Sequence, residues 1–588
     1  MTQVGTGSER AVACDVLVVG SGAGGLAAAV TAARHDLDVI VIEKEPVIGG
    51  TSAWSGGWMW VPRNPLARRA GIAEDVSAPR TYLEHELGNH FDAPRIDAFL
   101  DQAPRMVEFF EQNTALQFVD GNRIPDFHGG SPAAAEGGRS VCAAPYDGRE
   151  LGPWLAKLRP PLRDISLFGL GIAAGADMWH FLNARRSPRS AAYVVRRLGR
   201  HAVDLLRFGR GTQLVAGNAL VARLLRSALD LGVAPWTDAT ARELLRDGDA
   251  VRGAVVATTA GDIVVTARRG VVLACGGFPH DVDRRRALFA HAPTGVEHWS
   301  AAPATNSGDG IRLAETVGGN VDTGLAEPAA WAPVSLVPHA DGTTGVFPHL
   351  AERGKPGLIA VTARGTRFVN EADSYHDFMR ALFKALAPAE PLHAWLICDH
   401  RFQRRYGLGY AKPFPFPLRP YLRSGYLRRG ATIEALAQEC GIDPVRLVDT
   451  VAAYNRDARE GEDRAFGRGS TAYNRMQGDP AHRPNPCVAP IERGPFYAVK
   501  VVPGSLGTFA GLKTDRHARV LDAAGAPIPG LYAVGNDMAS VMGGHYPSGG
   551  ITLGPAMTFG YIAARHLAGV ADNTNAEGRA KENARAVL

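Results

Sequence analysis

The chain has 588 residues, 46% hydrophobic and 21% charged, too long for one ordinary core and too apolar for a disordered or fibrous protein. Lys plus Arg total 64 against 59 Asp plus Glu, a formal charge of +5 that is small for this size and carries no nucleic-acid signal. Six scattered cysteines, Cys14, Cys142, Cys275, Cys398, Cys440 and Cys487, form no CxxC pair, which speaks against a disulfide framework and against a zinc or other metal site.

The opening residues, "MTQVGTGSERAVACD", are polar and hold no apolar signal core, so the expected location is cytoplasmic. No uncharged apolar run reaches the length of a membrane span. The segment "CDVLVVGSGAGGLAAAVTAARHDLDVIVIEKE" then reads as strand, glycine turn, alanine-rich helix and second strand. Gly20-Ser21-Gly22-Ala23-Gly24-Gly25 is the dinucleotide fingerprint: Gly20 for the tight turn, Gly22 for close approach of a pyrophosphate, Gly25 for packing helix on strand. The helix N-terminus offers free N–H groups and a positive dipole end to phosphates. Glu43 ends the second strand, where a carboxylate can accept both hydroxyls of an adenosine ribose, and Lys44 follows it.

After Glu43 the chain runs into "GGTSAWSGG", where Gly50, Thr51, Ser52, Gly56 and Gly57 combine bare backbone with hydroxyls. Such a loop suits the phosphates and ribityl chain of a longer cofactor, which favours FAD over NAD. Residues 165–182, "ISLFGLGIAAGADMWHFL", read as a buried or groove-lining helix. Residues 183–210 carry Arg185, Arg186, Arg189, Arg196, Arg197, Arg200, Arg207 and Arg210 among apolar residues at near-helical spacing. Two readings stand for this segment: a helix lying on an anionic membrane, or a surface helix whose apolar face packs on the protein.

Two later strands end on glycine: "RRGVVLACGGF" at Gly276-Gly277, and "IPGLYAVGNDMAS" at Gly535-Asn536-Asp537. Ligands gather at the carboxyl ends of strands in an α/β sheet, so both can converge with the N-terminal turn on one cofactor. Asp537 reads as a ligand of ribityl hydroxyls or as a helix N-cap. Near the C-terminus, "GGHYPSGGITLGPAMTFG" sets Tyr546 among glycines, where main chain can touch something small and flat, and Ile551 and Leu553 of this stretch complete the cofactor set. The expected plan is a discontinuous cofactor domain, 10–298 and 494–588, with an inserted capping domain over 299–493.

Taken together, "VVGSGAGGLAAAVTAA", "GGTSAWSGG", "NSGDGIRLAE", "ERGKPGLIAVTARGTRFVNEADSYHDF" and "GGHYPSGGITLGPAMTFGY" stand in the order of the landmarks of a flavoprotein family. The chain resembles soluble fumarate reductase, aspartate oxidase and, most closely, the 3-ketosteroid Δ1-dehydrogenases. The resemblance implies a glutathione-reductase-like Rossmann FAD domain with an inserted α+β catalytic domain, in all an α/β fold. No His, Cys or Tyr stands in a context that demands a covalent link, so FAD is expected to be held non-covalently. Fumarate reductases place an arginine proton donor where this chain has His545 to Gly554 without Arg or Lys, which disfavours dicarboxylates.

By the same resemblance Tyr546 and the Gly550 N–H form a two-donor hole for a ketone oxygen, and Tyr375 takes the proton from the adjacent carbon. A phenol is a weak base without a neighbour to stabilise its phenolate. The family's supporting tyrosine is replaced here in "PDFHGGSP" by Phe127 and His128, which leaves three readings: His128 relays the proton, Tyr146 of "APYDGRE" reaches in, or the site runs a different reaction. The implied activity is an FAD-dependent desaturation next to a ketone, 1,2-desaturation of a hydrophobic 3-ketosteroid. A Δ4-dehydrogenase or flavin ene-reductase on the same fold, and a flavin-binding protein without turnover, are the alternatives. The electron acceptor is not legible.

Overall fold

The protein is described by a computed structural model over residues 10–387 and 390–570. Strand β1 (Arg10–Val19) passes through Gly20 into helix α1 (Ala23–Arg34) and the chain returns as β2 (Val39–Ile42). Val16, Leu17 and Val18 are almost wholly buried, as befits a strand covered on both faces. β1 and β2 pair in parallel, with Val16 opposite Val39, the arrangement that a βαβ crossover imposes. Gly20 has φ 111°, and a Cβ there would lie 2.3 Å from the Ala274 carbonyl oxygen, so glycine alone closes this turn.

Further on come α2 (Ala176–Asn183), α3 (Pro188–Phe208), β3 (Gly261–Leu273), β4 (Ala329–Pro338) and α4 (Tyr375–Ala385). They are followed by β5 (Ala394–Cys398), α5 (Ala472–Gln477), β6 (Phe496–Thr508), β7 (Pro527–Ala533) and α6 (Leu553–Leu567). β3 and β7 extend the first sheet in the parallel order β2-β1-β3-β7, so three segments distant in sequence align their carboxyl ends. The α/β cofactor fold is therefore assembled discontinuously.

A second, mixed sheet is centred on β6, which pairs antiparallel with β4, β5 and Leu427–Gly430 and parallel with Trp299–Ser300. β6 lies beyond residue 493, so this sheet runs past the break expected there, to Thr508. β6 itself is buried along most of its length, Lys500 excepted.

Two expectations about residues 165–210 do not hold. Only Ala176–Asn183 of the first stretch is α-helical, with no buried residue, while the non-helical part before it holds the buried Leu167 and Leu170 and lines a pocket. α3 is a helix, but it does not pack its apolar face inward: its buried residues are Ser190, Arg197, His201 and Asp204. Among the described residues no helix is long and apolar enough to cross a membrane.

Candidate active site

The cofactor end is built from the carboxyl edge of the first sheet. Glu43 accepts hydrogen bonds from the Ser21 N–H and hydroxyl at 3.1 and 2.6 Å and from the Glu45 N–H at 3.1 Å. Burial raises its carboxyl above the usual range, partly offset by those Ser21 donors. The Ser21 hydroxyl in turn accepts from the Gly49 N–H at 3.0 Å, and the Ser52 hydroxyl accepts from the Ala23 N–H at 3.0 Å. The fingerprint turn and the 49–57 loop are thus tied to each other, side by side at the N-terminus of α1. Lys44 forms an ion pair with Asp309, and Asn306 donates to the Thr51 hydroxyl at 3.0 Å, which brings "NSGDGIRLAE" to the same edge.

Asp537 is completely buried and accepts from the Cys275 and Gly277 N–H groups at 2.6 and 2.9 Å. It lies at the end of a short 3₁₀ turn, Gly535–Asp537, and its carboxylate clamps the glycine end of β3 to the end of β7. Beside it a cavity is lined by Thr508, Gly535, Asn536, Ile551, Thr552 and Ala556. This cavity opens on the N-terminus of α6, which begins at Leu553 and whose N-cap Thr552 supplies no side-chain cap, so its free N–H groups suit the electron-rich edge of a flavin. A glycine turn and buried carboxylate at one end and an uncapped helix N-terminus at the other fit FAD.

The catalytic end is an aromatic cluster centred on Phe127. The Phe127 ring centroid lies 4.4 Å from Tyr473, 5.7 Å from Tyr546 and 5.8 Å from Tyr375. Tyr375 opens α4, where Ser374 caps the helix by accepting from the Asp377 N–H at 3.1 Å and donating to its carboxylate at 2.6 Å, a reciprocal N-terminal cap. Tyr375 and Tyr546 are 9% and 4% exposed. Burial first, then the neighbouring Tyr546, hold the Tyr375 phenol well above its ordinary value, while the Arg353 charge opposes them. Burial pushes Tyr546 up to about 12, with Tyr375 and Thr552 moderating it.

Gly550 has φ 96°, and a Cβ would stand 2.7 Å from both the Trp58 carbonyl oxygen and the Trp60 nitrogen. Its carbonyl accepts from the Trp60 N–H at 3.1 Å, which fixes the loop, while its own N–H has no partner among the described residues. An unspent backbone N–H is a donor that a developing enolate oxygen can use.

His128 adjoins this cluster, but both its ring nitrogens are taken, one by Glu86 and the other by Asp377 at 2.8 Å. Burial would lower its pKa, yet Asp377 and Glu86 outweigh that and raise it to about 10, so it is a charged bridge between two carboxylates. Tyr146 is placed elsewhere: it sits in a short strand paired with Leu214, with Arg223 over its ring at 5.0 Å, and is not brought to Tyr375. Sequence reading missed Tyr473, which accepts a hydrogen bond from Gln477 at 2.7 Å. It also missed Arg353, a buried cation bonded to the carbonyls of His349, Glu371 and Asp373 at 2.8, 2.9 and 3.2 Å. No local pattern marks Tyr473, and Arg353, though it lies in the landmark "ERGKPGLIAVTARGTRFVNEADSYHDF", is not set apart there from the stretch's other arginines.

The neighbouring His376 is neutral at physiological pH, since burial lowers it to about 3, and its Nδ1 accepts from the Trp331 N–H at 3.2 Å.

The family described as FAD binding domain matches residues 15–553. The 4-oxocyclohex-2-ene-1-carboxylate 5-dehydrogenase of Sinomonas cyclohexanicum is 41% identical over 98% of this chain and 96% of its own length. The 3-oxosteroid 1-dehydrogenase of Mycobacterium tuberculosis (strain ATCC 25618 / H37Rv) is 36% identical over 94% of this chain and 98% of its own. Among solved structures, the 3-ketosteroid delta1-dehydrogenase from Sterolibacterium denitrificans in complex with 1,4-androstadiene-3,17-dione superposes with a TM-score of 0.87 and 37% identity, covering 95% of this chain and 100% of that one. Fold, cofactor edge and relatives agree: the chain is an FAD-binding oxidoreductase that belongs to the FAD binding domain family and, within it, to the 3-ketosteroid Δ1-dehydrogenases.

Proposed function

We propose that the protein desaturates a cyclic ketone, removing hydrogen from two adjacent carbons next to the carbonyl, with an apolar 3-ketosteroid as the substrate class. The observation that supports this reading is the edge-to-face meeting of the buried Tyr375 and Tyr546, with Gly550, four residues after Tyr546, leaving its N–H without a partner among the described residues. Tyr546 and Gly550 donate to the ketone oxygen and stabilise the enolate that forms, an effect of about 3 to 4 kcal/mol per donor in oxyanion holes. Tyr375 takes the proton from the adjacent carbon. Bound FAD supplies the hydride acceptor for the next carbon, held by the fingerprint turn, Glu43, the 49–57 loop and the α6 N-terminus. Two electrons leave with the hydride and the pair left behind closes the double bond.

The cations around Tyr375 support an uncharged substrate. Arg353 is committed to three carbonyls, His128 to two carboxylates, and Arg380 to Glu327 and Asp377. A substrate carboxylate would find no unspent partner among them. A second reading, an oxocyclohexene carboxylate, draws on the 41% identity to the Sinomonas enzyme. The sheet pairings favour a catalytic lobe from Trp299 to Thr508 over the first lobe, and we place the enzyme in peripheral contact with a membrane.

Anaerobic addition of androst-4-ene-3,17-dione to the holoprotein is expected to bleach the flavin absorbance and yield the 1,2-desaturated product by mass spectrometry. Bleaching by 4-oxocyclohex-2-ene-1-carboxylate alone would favour the second reading, and bleaching by neither would overturn both.

A further inference from the structure

Arg353 lies at the foot of α4. It belongs to the short turn Glu352–Gly354 and is 1% exposed. Its guanidinium donates to the carbonyls of His349, Glu371 and Asp373 and stands 4.9 Å over the Phe378 ring. Asp373 precedes the helix cap Ser374, and Phe378 falls one turn after Tyr375 on the same helix face, so the charge sits under the turn that carries Tyr375. Two other arginines with buried side chains share this region, and each has a carboxylate. Arg367 bonds Glu371 and Asp463 at 2.7 and 2.8 Å, and Arg468 bonds Glu371 at 3.2 Å. Arg353 has no carboxylate within ion-pair distance among the described residues. The Glu352 carboxylate, next to it in sequence, is taken by His349, and the Asp373 carboxyl accepts from Asn474 at 2.9 Å, with burial pushing it up to about 6. The N–H groups of Arg353 are thus spent on neutral carbonyls while its charge is left unpaired. Such a cation is costly to bury, and the positive end of the α4 dipole beside it adds to the cost. A negative charge forming on Tyr375 relieves both.

We infer that Arg353 is a positioning residue that acts through Tyr375, its unpaired charge holding the phenolate that takes the substrate proton. The inference deepens the function proposed above and rests on Tyr375 as the base there. The Tyr375 phenol first gives its proton to water. The phenolate then takes the proton from the carbon beside the ketone and returns to phenol, the hydride leaves the next carbon for bound FAD, and the electron pair left behind closes the double bond. Burial raises the Tyr375 and Tyr473 phenols, and the Arg353 charge pulls both back. The other groups around Tyr375 do not supply this charge. Tyr546 from the glycine loop and Tyr473 from α5 are neutral phenols, and His376 is neutral. His128 from the first lobe is shared between Glu86 and Asp377, and Arg380 is paired with Glu327 and Asp377. The Asp373 and Asp377 carboxylates carry the sign that opposes a phenolate.

The test compares Arg353→Gln, which keeps donors for the carbonyls and loses the charge, with Arg353→Lys, which keeps the charge and cannot serve three carbonyls at once. Both full-length holoproteins are mixed anaerobically with androst-4-ene-3,17-dione, and flavin reduction is followed by stopped flow across the neutral and alkaline range. Arg353→Gln is expected to move the alkaline limb of the profile up by about one pH unit and to slow reduction at neutral pH roughly tenfold, with KM unchanged. Arg353→Lys is expected to keep its limb within about half a unit of the wild type. His128, raised to about 10, titrates on the same limb, but it does so in all three proteins and cancels in the comparison. FAD content and melting temperature are read for each. A Lys variant as impaired as the Gln variant, or a Gln variant whose limb does not move, would mean that Arg353 only clamps the carbonyls and would overturn the inference. Should Arg353→Gln fail to hold flavin, Arg353→Lys decides alone: a limb near that of the wild type supports the inference, and a limb raised by about one unit or more overturns it. A wild type that the ketone does not reduce overturns the dehydrogenase reading and this inference with it, whereas a reducible wild type with the contrary variant pattern overturns this inference only.

Discussion

Tyr375 and Tyr546 meet edge to face, with ring centroids 5.0 Å apart and planes at 83°, although one opens a helix of the second lobe and the other lies in the glycine loop before α6. Each phenol is buried and held protonated above its ordinary range. That suits the donor role proposed for Tyr546 and opposes the base role proposed for Tyr375, so under that proposal one residue type is divided between two roles by position.

Tyr375→Phe and Tyr546→Phe keep the ring that packs on Phe127 and remove only the hydroxyl. Each is expected to lower kcat by roughly two to four orders of magnitude while FAD content, read from the absorbance spectrum, stays normal. Turnover near that of the wild type in either variant would remove the assigned role.

Tyr473 is the phenol nearest Phe127, and the Arg353 charge favours ionisation of Tyr473 as it does of Tyr375. Because Phe127 itself has no hydroxyl, we propose that Tyr473 supports an ionised Tyr375 by donating its hydroxyl proton, since its own charge opposes that ionisation. Tyr473→Phe is expected to slow flavin reduction roughly tenfold at neutral pH and to move the alkaline limb of its pH profile upward. A lower rate with an unmoved profile would mean that Tyr473 only packs.

The cofactor edge was legible because its constraints are local: a backbone at φ 111° demands Gly20, and a carboxylate at a strand end announces Glu43. Tyr546, Gly550 and Tyr375 were legible only through resemblance, since nothing near them in sequence says that they meet. Tyr473 and Arg353 reach the cluster through tertiary packing of α5 on residues 352–354, which no period in the sequence reports. The strand Phe496–Thr508 looked like part of the returning cofactor domain, but its pairing partners, β4 and β5, decide its sheet. Periodicity showed that 188–208 is amphipathic and could not show which face turns inward. Arg197, His201 and Asp204 win the inner face because each finds a fixed hydrogen-bond partner there.

His128 ties Glu86 of the first lobe to Asp377 of α4, with Arg380 also near Asp377 and with the neutral His376 and His545 on the far side. Its pKa is raised from 6.5 to about 10, so the stabilisation from its charge is fully present below about pH 6.5 and is lost as pH rises through about 10. Asp377 is depressed to about 2, so its share is present above about pH 4 and is lost as pH falls through 2. Thermal melting of His128→Gln against the wild type is expected to show the largest deficit between about pH 4 and 6.5, closing toward pH 10. A deficit constant across that range would mean that the bridge is not ionic.

Gly549 and Gly550 are adjacent, yet the structure treats them differently, and that contrast tests the ketone hole. At Gly550 a Cβ meets the backbone of Trp58 and Trp60 at 2.7 Å and φ is 96°, whereas at Gly549 it meets only the Phe127 ring at 3.6 Å, an ordinary contact. Gly550→Ala therefore strains the loop on two counts and shifts the N–H that faces the ketone, at a stability cost of about 1 kcal/mol or more. Gly549→Ala fits without moving backbone. Gly550→Ala is expected to lower kcat by roughly two to three orders of magnitude with FAD retained, and Gly549→Ala to stay within a few-fold of the wild type. If stopped-flow flavin reduction is equally fast in both variants, the Gly550 N–H does not hold the ketone.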